Sequence, residues 1–368
     1  MIDNLRISIG MCAWNEEQRI GPTLRSLCKQ DVIREQCDGI NAVEIVILVN
    51  ASTDRTAAVA RDTLQEELGA LGDPEHVQVK VVETPEGGLA RSINKITHEL
   101  SDPDADYLIK MDCDIEIVEP DVIRKLVARL VDDPKAAIAS PSCVKHTAYK
   151  SRKTVVNRLS LLATHLQKDA MWYVPVVGAM YCGRASVLRS IWEPIGARGT
   201  DGYVRDMVVT ENWRYPRERR DFRIVLADNA TVVFDAYEGI GRIVYHRTRA
   251  VIGEVSRMIL HEFFHEQVGD EDAGQLVLRL NQEDPDWYQE LIQSRLGHGR
   301  WWVLPCPMFR WNRLRALKRC WTVRKIPMVP VAVLLELVDA IAVWRANHAF
   351  KTRAERTIWR PKCTVESE

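Results

Sequence analysis

Tyr107-Leu108-Ile109-Lys110-Met111-Asp112-Cys113-Asp114 runs from an apolar strand pattern straight into two carboxylates spaced i, i+2. Hard divalent cations such as Mg²⁺ and Mn²⁺ are held by one or two carboxylates together with a substrate's phosphates, so acids at the turning end of a buried strand can seat a metal–diphosphate unit. Alone the pair is a weak signal, because Asp102-Pro103-Asp104 repeats it and turn-forming acids are common. Its weight comes from what surrounds it. Upstream, residues 5–12 read as a strand, 20–29 as a helix, and Val43-Glu44-Ile45-Val46-Ile47-Leu48-Val49 as a strand buried on both faces. A helix then extends to residue 68, with Ser52 or Thr53 placed to cap its N-terminus. Residues 77–82 follow as a third strand, 89–100 as a helix, 107–111 as a fourth strand and 122–131 as a helix. This alternation predicts an α/β fold, a mostly parallel sheet flanked by helices. Ligands of such sheets bind at the carboxyl ends of strands, here just after Met11, Val49 and Met111.

Composition bounds the alternatives. The 368 residues are 46% apolar and 27% charged, which excludes disordered and collagen-like chains. Lys and Arg total 50 against 51 acids, so no whole-chain charge argues for nucleic acid as a partner. Nine cysteines are scattered with no C-x-x-C spacing, against both a zinc ribbon and a disulfide framework. With no secretory apolar run after Met1, the expected location is the cytoplasm or the cytoplasmic face of a membrane.

Six short motifs carry a resemblance. Met11-Cys12-Ala13-Trp14-Asn15-Glu16-Glu17 resembles the A-[YF]-N-E signature of family-2 glycosyltransferases of the GT-A fold. Val49-Asn50-Ala51-Ser52-Thr53-Asp54-Arg55-Thr56 is similar to that family's D-D-G-S-T-D-x-T turn, and Gly87-Gly88-Leu89-Ala90-Arg91-Ser92-Ile93-Asn94 to its G-x-x-x-A-x-N helix start. Asp112-Cys113-Asp114 falls where the family has its metal-binding D-x-D. Residues 177–184 resemble its acceptor-side strand, and Thr200-Asp201-Gly202-Tyr203-Val204-Arg205-Asp206 the later acidic motif. The resemblance implies an inverting transfer of a sugar from a nucleotide diphosphate sugar to an acceptor hydroxyl, in polysaccharide or glycolipid synthesis. It also implies Mg²⁺ or Mn²⁺ at Asp112 and Asp114.

Residue by residue, Ala13, Asn15 and Glu16 are expected to hold the nucleoside, and Asn50 to hydrogen-bond its base. The family's usual Asp is replaced by Asn50, which offers a donor as well as acceptors, so a UDP sugar is only slightly preferred. Arg91 is expected to reach the phosphates and Asp112 to share in donor binding. Asn94 would brace the loop. Asp201 is the candidate general base, with Asp206 and Glu211 in reserve; the family's paired Glu-Asp is here Thr200-Asp201.

Two further segments compete. His261-Glu262-Phe263-Phe264-His265 matches the helix-borne H-E-x-x-H zinc signature, which keeps a metallopeptidase open as an alternative. A non-catalytic nucleotide-sugar-binding protein on the same fold is the other. Residues 242–249 are the local candidate for a basic loop closing over the diphosphate. The chain divides by composition into residues 1–240, the GT-A-like catalytic part, and 241–368, a helical C-terminal extension. Between Leu291 and Leu335 lie nine cations and four tryptophans without one acid, a pattern suited to an anionic membrane surface and a lipid-linked acceptor. Residues 326–344 are apolar except for Glu336 and Asp339, which share a helical face and leave Val333, Leu334, Leu337, Val338 and Ile341 on another. That favours a helix lying on a surface over one spanning the bilayer.

Overall fold

The computed structural model describes residues 4–37, 39–148, 173–235, 239–269, 271–299, 301–305 and 329–354. These fall into two compact units built from interleaved stretches. The first takes in residues 1–144, 174–234 and 264–288, and the second 145–173, 235–263 and 289–368.

The first unit is organised on one eight-stranded sheet, in the order β3-β2-β1-β4-β7-β6-β8-β5. Its strands are β1 (Leu5–Ala13), β2 (Ile40–Asn50), β3 (Val77–Thr84), β4 (Tyr107–Asp112), β5 (Ile115–Ile117), β6 (Ile138–Lys145), β7 (Met180–Arg184) and β8 (Ile224–Phe234). Pairing is parallel for β1 with β2 and β4 and for β2 with β3, so the expected parallel sheet is present across the first four strands. Beyond β4 the sheet changes character: β7 pairs antiparallel to β4 and β6, and β8 to β5.

Register places Ile9 beside Ile45 and Ile109, and Met11 beside Ile47, Met111 and, across β4, Met180. This face forms the main apolar core with α1 (Ile20–Leu27), α2 (Asp31–Arg34), α3 (Thr56–Ala70) and α5 (Val122–Asp132), through Leu24, Val32, Leu64 and Leu126. The opposite face carries Ser8, Gly10 and Cys12 on β1 and Lys110 and Asp112 on β4. It is covered by α4 (Leu89–Lys95) with its continuing π turn to Leu100, by α6 (Ala185–Leu188) and by α7 (Thr200–Thr210). A side chain at Gly10 would meet Ile96 Cγ2 at 2.4 Å, so only glycine lets the π turn lie this close to the sheet.

Two expectations are corrected. Ser52 and Thr53 do not cap α3: the helix starts at Thr56, whose N–H donates to Asp54 Oδ1 at 3.0 Å. Ser52 and Thr53 are instead used between loops, as described below. Residues 242–249 are not a loop but the opening turns of α8 (Ile240–Gln267). Among the described residues the remaining α-helices are α9 (Ala273–Glu283), α10 (Trp287–Arg295) and α11 (Val329–Thr352).

Candidate active site

The loops after β1 and β2 lock onto each other. Asn15 N–H donates to Ser52 Oγ at 3.0 Å, and Asn15 Oδ1 accepts from Thr53 N–H at 2.8 Å. Glu16 N–H donates to Thr56 Oγ1 at 2.8 Å, and Glu17 N–H to Asp54 Oδ2 at 3.2 Å. Asn15 and Ala51 both adopt left-handed backbone, at φ 53° and 47°. The residues expected to grip a nucleoside therefore first build the rim. Asn15 spends its carbonyl on Thr53, Ala13 is fully buried at the end of β1, and Asn50 is 6% exposed at the end of β2. Arg91, near the start of α4, pairs with Glu86 at 3.0 Å with both side chains well exposed.

Asp112 is the last residue of β4, and Asp114 is the second residue of the two-residue turn that leads into β5. Asp112 is not idle: its Oδ1 accepts from Lys110 Nζ, one pleat back on the same strand face, and that ammonium also donates to Gly178 O. The Lys110 side chain is only 14% exposed, against 42% for Asp112. Burial works against the Lys110 ammonium, but the Asp112 charge and its hydrogen bond outweigh burial and raise the lysine above its ordinary value.

Gly178 also links this pair to Asp201. A Cβ at Gly178 would lie 3.5 Å from Asp201 Cβ and 3.6 Å from its Oδ2, so the absence of a side chain there admits the carboxylate. Asp201 sits in the first turn of α7, where a carboxylate is favoured by the free N–H groups of the helix start. The reserve bases are engaged elsewhere: Asp206 with Arg219 at 3.0 Å, and Glu211 with Arg220 at 2.6 Å and with Arg223. Thus Lys110, Asp112, Gly178 and Asp201 converge.

Lys110 and Glu193 were missed in the sequence. Lys110 was detectable, since a residue two before Asp112 on a strand shares its face. Glu193 lies in the irregular segment between α6 and α7 and carries no pattern. It is 2% exposed, and burial, with Asp201 nearby, pushes its carboxyl up to about 8 against the opposing pull of Lys110. Asn94 braces this segment: its Nδ2 donates to Glu193 O at 2.8 Å, and its Oδ1 accepts from Glu193 N–H at 2.9 Å.

The histidine motif builds no comparable site. Phe264 is buried and stands 5.6 Å from the Trp213 ring, while His265 is exposed and meets Trp213 edge-on. Among the described residues no three His, Cys, Asp or Glu side chains converge as metal ligands, so none of these supplies the third ligand that a zinc site on His261 and His265 would need.

The family model described as "Glycosyl transferase family 2" matches residues 8–191, half of the chain. This chain is a family-2 glycosyltransferase. Its structure is similar to that of the mannosyltransferase PcManGT from Pyrobaculum calidifontis, solved with GDP-Man and Mn²⁺. The two are 16% identical, with 98% of this chain and 89% of that one covered at a TM-score of 0.51. S. aureus TarS 1–349, solved with UDP-GlcNAc, is 13% identical over 95% of this chain and 92% of that one, at a TM-score of 0.46. The M. tuberculosis glucosyl-3-phosphoglycerate synthase, solved with Mn²⁺, UDP and phosphoglyceric acid, is 15% identical over 69% of this chain and 78% of that one, at 0.44. No curated protein sequence matches. The glycosyltransferase thus has a GT-A fold, a mixed sheet flanked by helices, and its reaction class is glycosyl transfer from a nucleotide sugar.

Proposed function

We propose that this glycosyltransferase inverts the anomeric centre, with Asp201 as general base and Asp112 and Asp114 as the seat of Mg²⁺ or Mn²⁺. The observation that carries the reading is the meeting of Asp112 and Asp201 around Lys110 and Gly178, at the carboxyl end of β4. Two hard carboxylates on a turn fit such an ion, because the donor's phosphates supply the remaining oxygens. When bound there, the ion would neutralise charge on the departing diphosphate. Asp201 takes the proton of the acceptor hydroxyl as its oxygen bonds to the anomeric carbon; the bond to the diphosphate breaks and its electron pair leaves with the nucleotide. One carboxylate suffices, since a nucleoside diphosphate is already a good leaving group. Ala13, Asn15, Glu16, Asn50 and Arg91 rim the strand ends on which the donor would lie, with Asn15 and Glu16 holding the rim in shape.

Donor identity is testable by thermal shift with UDP, GDP, dTDP and CMP in the presence of Mn²⁺. A nucleotide at 100 times its Kd adds ~2.7 kcal/mol, which is readily seen. Metal-dependent transfer or hydrolysis of the matching sugar nucleotide is expected; complete absence of turnover with a tightly bound nucleotide would favour the non-catalytic reading.

A second observation bears on the acceptor. On α11, Val333, Leu334, Leu337, Ile341 and Trp344 are exposed, whereas Glu336 is buried and Asp339 accepts from Arg247 Nε at 2.7 Å. The acids therefore face inward and an apolar stripe faces out. Among the described residues no helix is long and apolar enough to cross a membrane. Of the nine cations in residues 291–335, all but Arg295 lie outside the described residues, as do Trp311 and Trp321. We read the stripe and the basic segment together as peripheral attachment to an anionic membrane, which suits a lipid-linked acceptor. Flotation of the full chain with anionic vesicles at low salt should be lost in Leu337→Ser/Ile341→Ser. Equal flotation of both proteins would count against the stripe.

A further inference from the structure

Behind the D-x-D turn, beneath the π turn, lies a cavity of about 40 Å³ whose polar lining includes Ser8, Cys12, Lys110, Tyr181 and Glu193. Room for one water takes ~10–15 Å³, so the space is small but not closed to a moving side chain. Glu193 stands out in it. Neither of its carboxylate oxygens has a hydrogen-bond partner, although the residue is 2% exposed. Its backbone, by contrast, is held on both sides. Asn94 bonds its N–H and carbonyl, and Asn281 Nδ2 donates to the same carbonyl at 3.0 Å. Asn281 is itself fixed by Trp287 Nε1 and Ile195 N–H, at 2.9 and 3.2 Å. Next door, Trp192 stacks on His98 with ring centroids 3.6 Å apart. The fold thus places Glu193 firmly and leaves its carboxyl unanswered, which in a native structure asks for an explanation.

The charge that can answer it lines the same cavity. Lys110 is held by Asp112 and Gly178, and Asp112 is the carboxylate that the proposed reaction reserves for a divalent cation. An ammonium and a divalent cation repel each other on one carboxylate. A lysine stem has four flexible carbons and three donors, so it can keep Gly178 O while changing its other partner.

We propose that Lys110 has two alternative partners: it bonds Asp112, as in this structure, and it turns to Glu193 across this cavity when a divalent cation takes Asp112. Glu193 is then a positioning residue, the counter-charge that lets the metal displace the lysine. This rests on the reading of Asp112 as a metal ligand.

The test is a double-mutant cycle on Mn²⁺ binding, with inorganic pyrophosphate standing in for the donor's diphosphate and free Mn²⁺ followed by electron paramagnetic resonance. Glu193→Gln should weaken Mn²⁺ binding about tenfold in the wild-type background and within about twofold not at all in Lys110→Met, a coupling of ordinary size for contacting groups. Lys110→Met alone should bind Mn²⁺ at least as tightly as wild type. Equal weakening in both backgrounds, or none in either, overturns the switch. Should Glu193→Gln fail to fold, a crystal structure of the wild type with Mn²⁺ and pyrophosphate decides: Lys110 Nζ within about 3.2 Å of a Glu193 oxygen supports the proposal, and Nζ still on Asp112 overturns it. A wild type that binds no Mn²⁺ overturns the metal seat itself and this inference with it. Bound Mn²⁺ without coupling overturns the switch alone.

Discussion

Along β1, β4 and β7, Ile7, Ile9, Met11, Ile109, Met111, Met180 and Cys182 enter the main apolar core, while Ser8, Cys12, Lys110, Asp112 and Tyr181 point to the other side of the same strands. The first face is held by area: many interchangeable apolar contacts, each small, summing to most of the stability. The second is held by pairing. Glu44 shows how it is managed when function is absent, accepting from Ser8 Oγ, from Asp102 N–H at 2.7 Å and from Lys80 at 2.6 Å. One and two pleats along, Lys110 and Asp112, with Glu193 and Asp201 beside them, share too few partners for their charges. The contrast locates the site. A sheet face with every polar group answered is structural, and one with a buried carboxyl unanswered is kept for a ligand or a movement.

The largest expected effect tests the unanswered side. Asp201→Asn should lower glycosyl transfer ~10²–10⁴-fold while leaving the melting temperature nearly unchanged, measured by donor turnover and calorimetry side by side. A fall in stability that matches the fall in rate would make Asp201 structural and dissolve the contrast.

Next in size is a pH effect. The folded carboxyl of Glu193 is raised to about 8, so between the ordinary carboxylate range and that value the folded chain keeps a proton that the unfolded chain has released. Stability should therefore fall as pH rises through this window, by up to ~1.4 kcal/mol per pH unit, and Glu193→Gln should remove that slope from urea-unfolding curves. Identical slopes in wild type and variant would mean the carboxyl is not buried alone.

The opposite face should respond in stability only. Ile109→Ala deletes a side chain that is 1% exposed in the main core, and should cost ~2–5 kcal/mol in urea unfolding with a near-normal rate at temperatures where the variant stays folded. A selective loss of rate would show that the two faces are mechanically coupled rather than separate.

Much of this could be read before any coordinates. The β-branched run ending at Val49, the helix expected from the Ser52-Thr53-Asp54 turn to residue 68 and the apolar run into Asp112 are local signals, and β1 to β4 form close to where they were expected. The helix expected to residue 100 is α through Lys95 and then widens to a π turn, because it must pass over Gly10. Ser52 and Thr53 have the chemistry of caps, yet the loop after β1 claims them through Asn15. Cap and latch use the same hydroxyl or N–H group, and only the neighbour present in space decides which forms.

By itself the sequence determined the parallel strands, the D-x-D at a strand end, the family and so the class of reaction, because periodicity and short motifs act over a few residues. Tertiary structure alone decided that the sheet turns antiparallel beyond β4, that residues 264–288 belong with the catalytic unit, and that Asp206 and Glu211 are tied to arginines while Asp201 lies against Gly178. It also brought Glu193, 83 positions from Lys110 in the numbering, into the cavity behind Asp112. Whether a charge is paired depends on burial and on partners distant in sequence, and neither is written in the residues beside it.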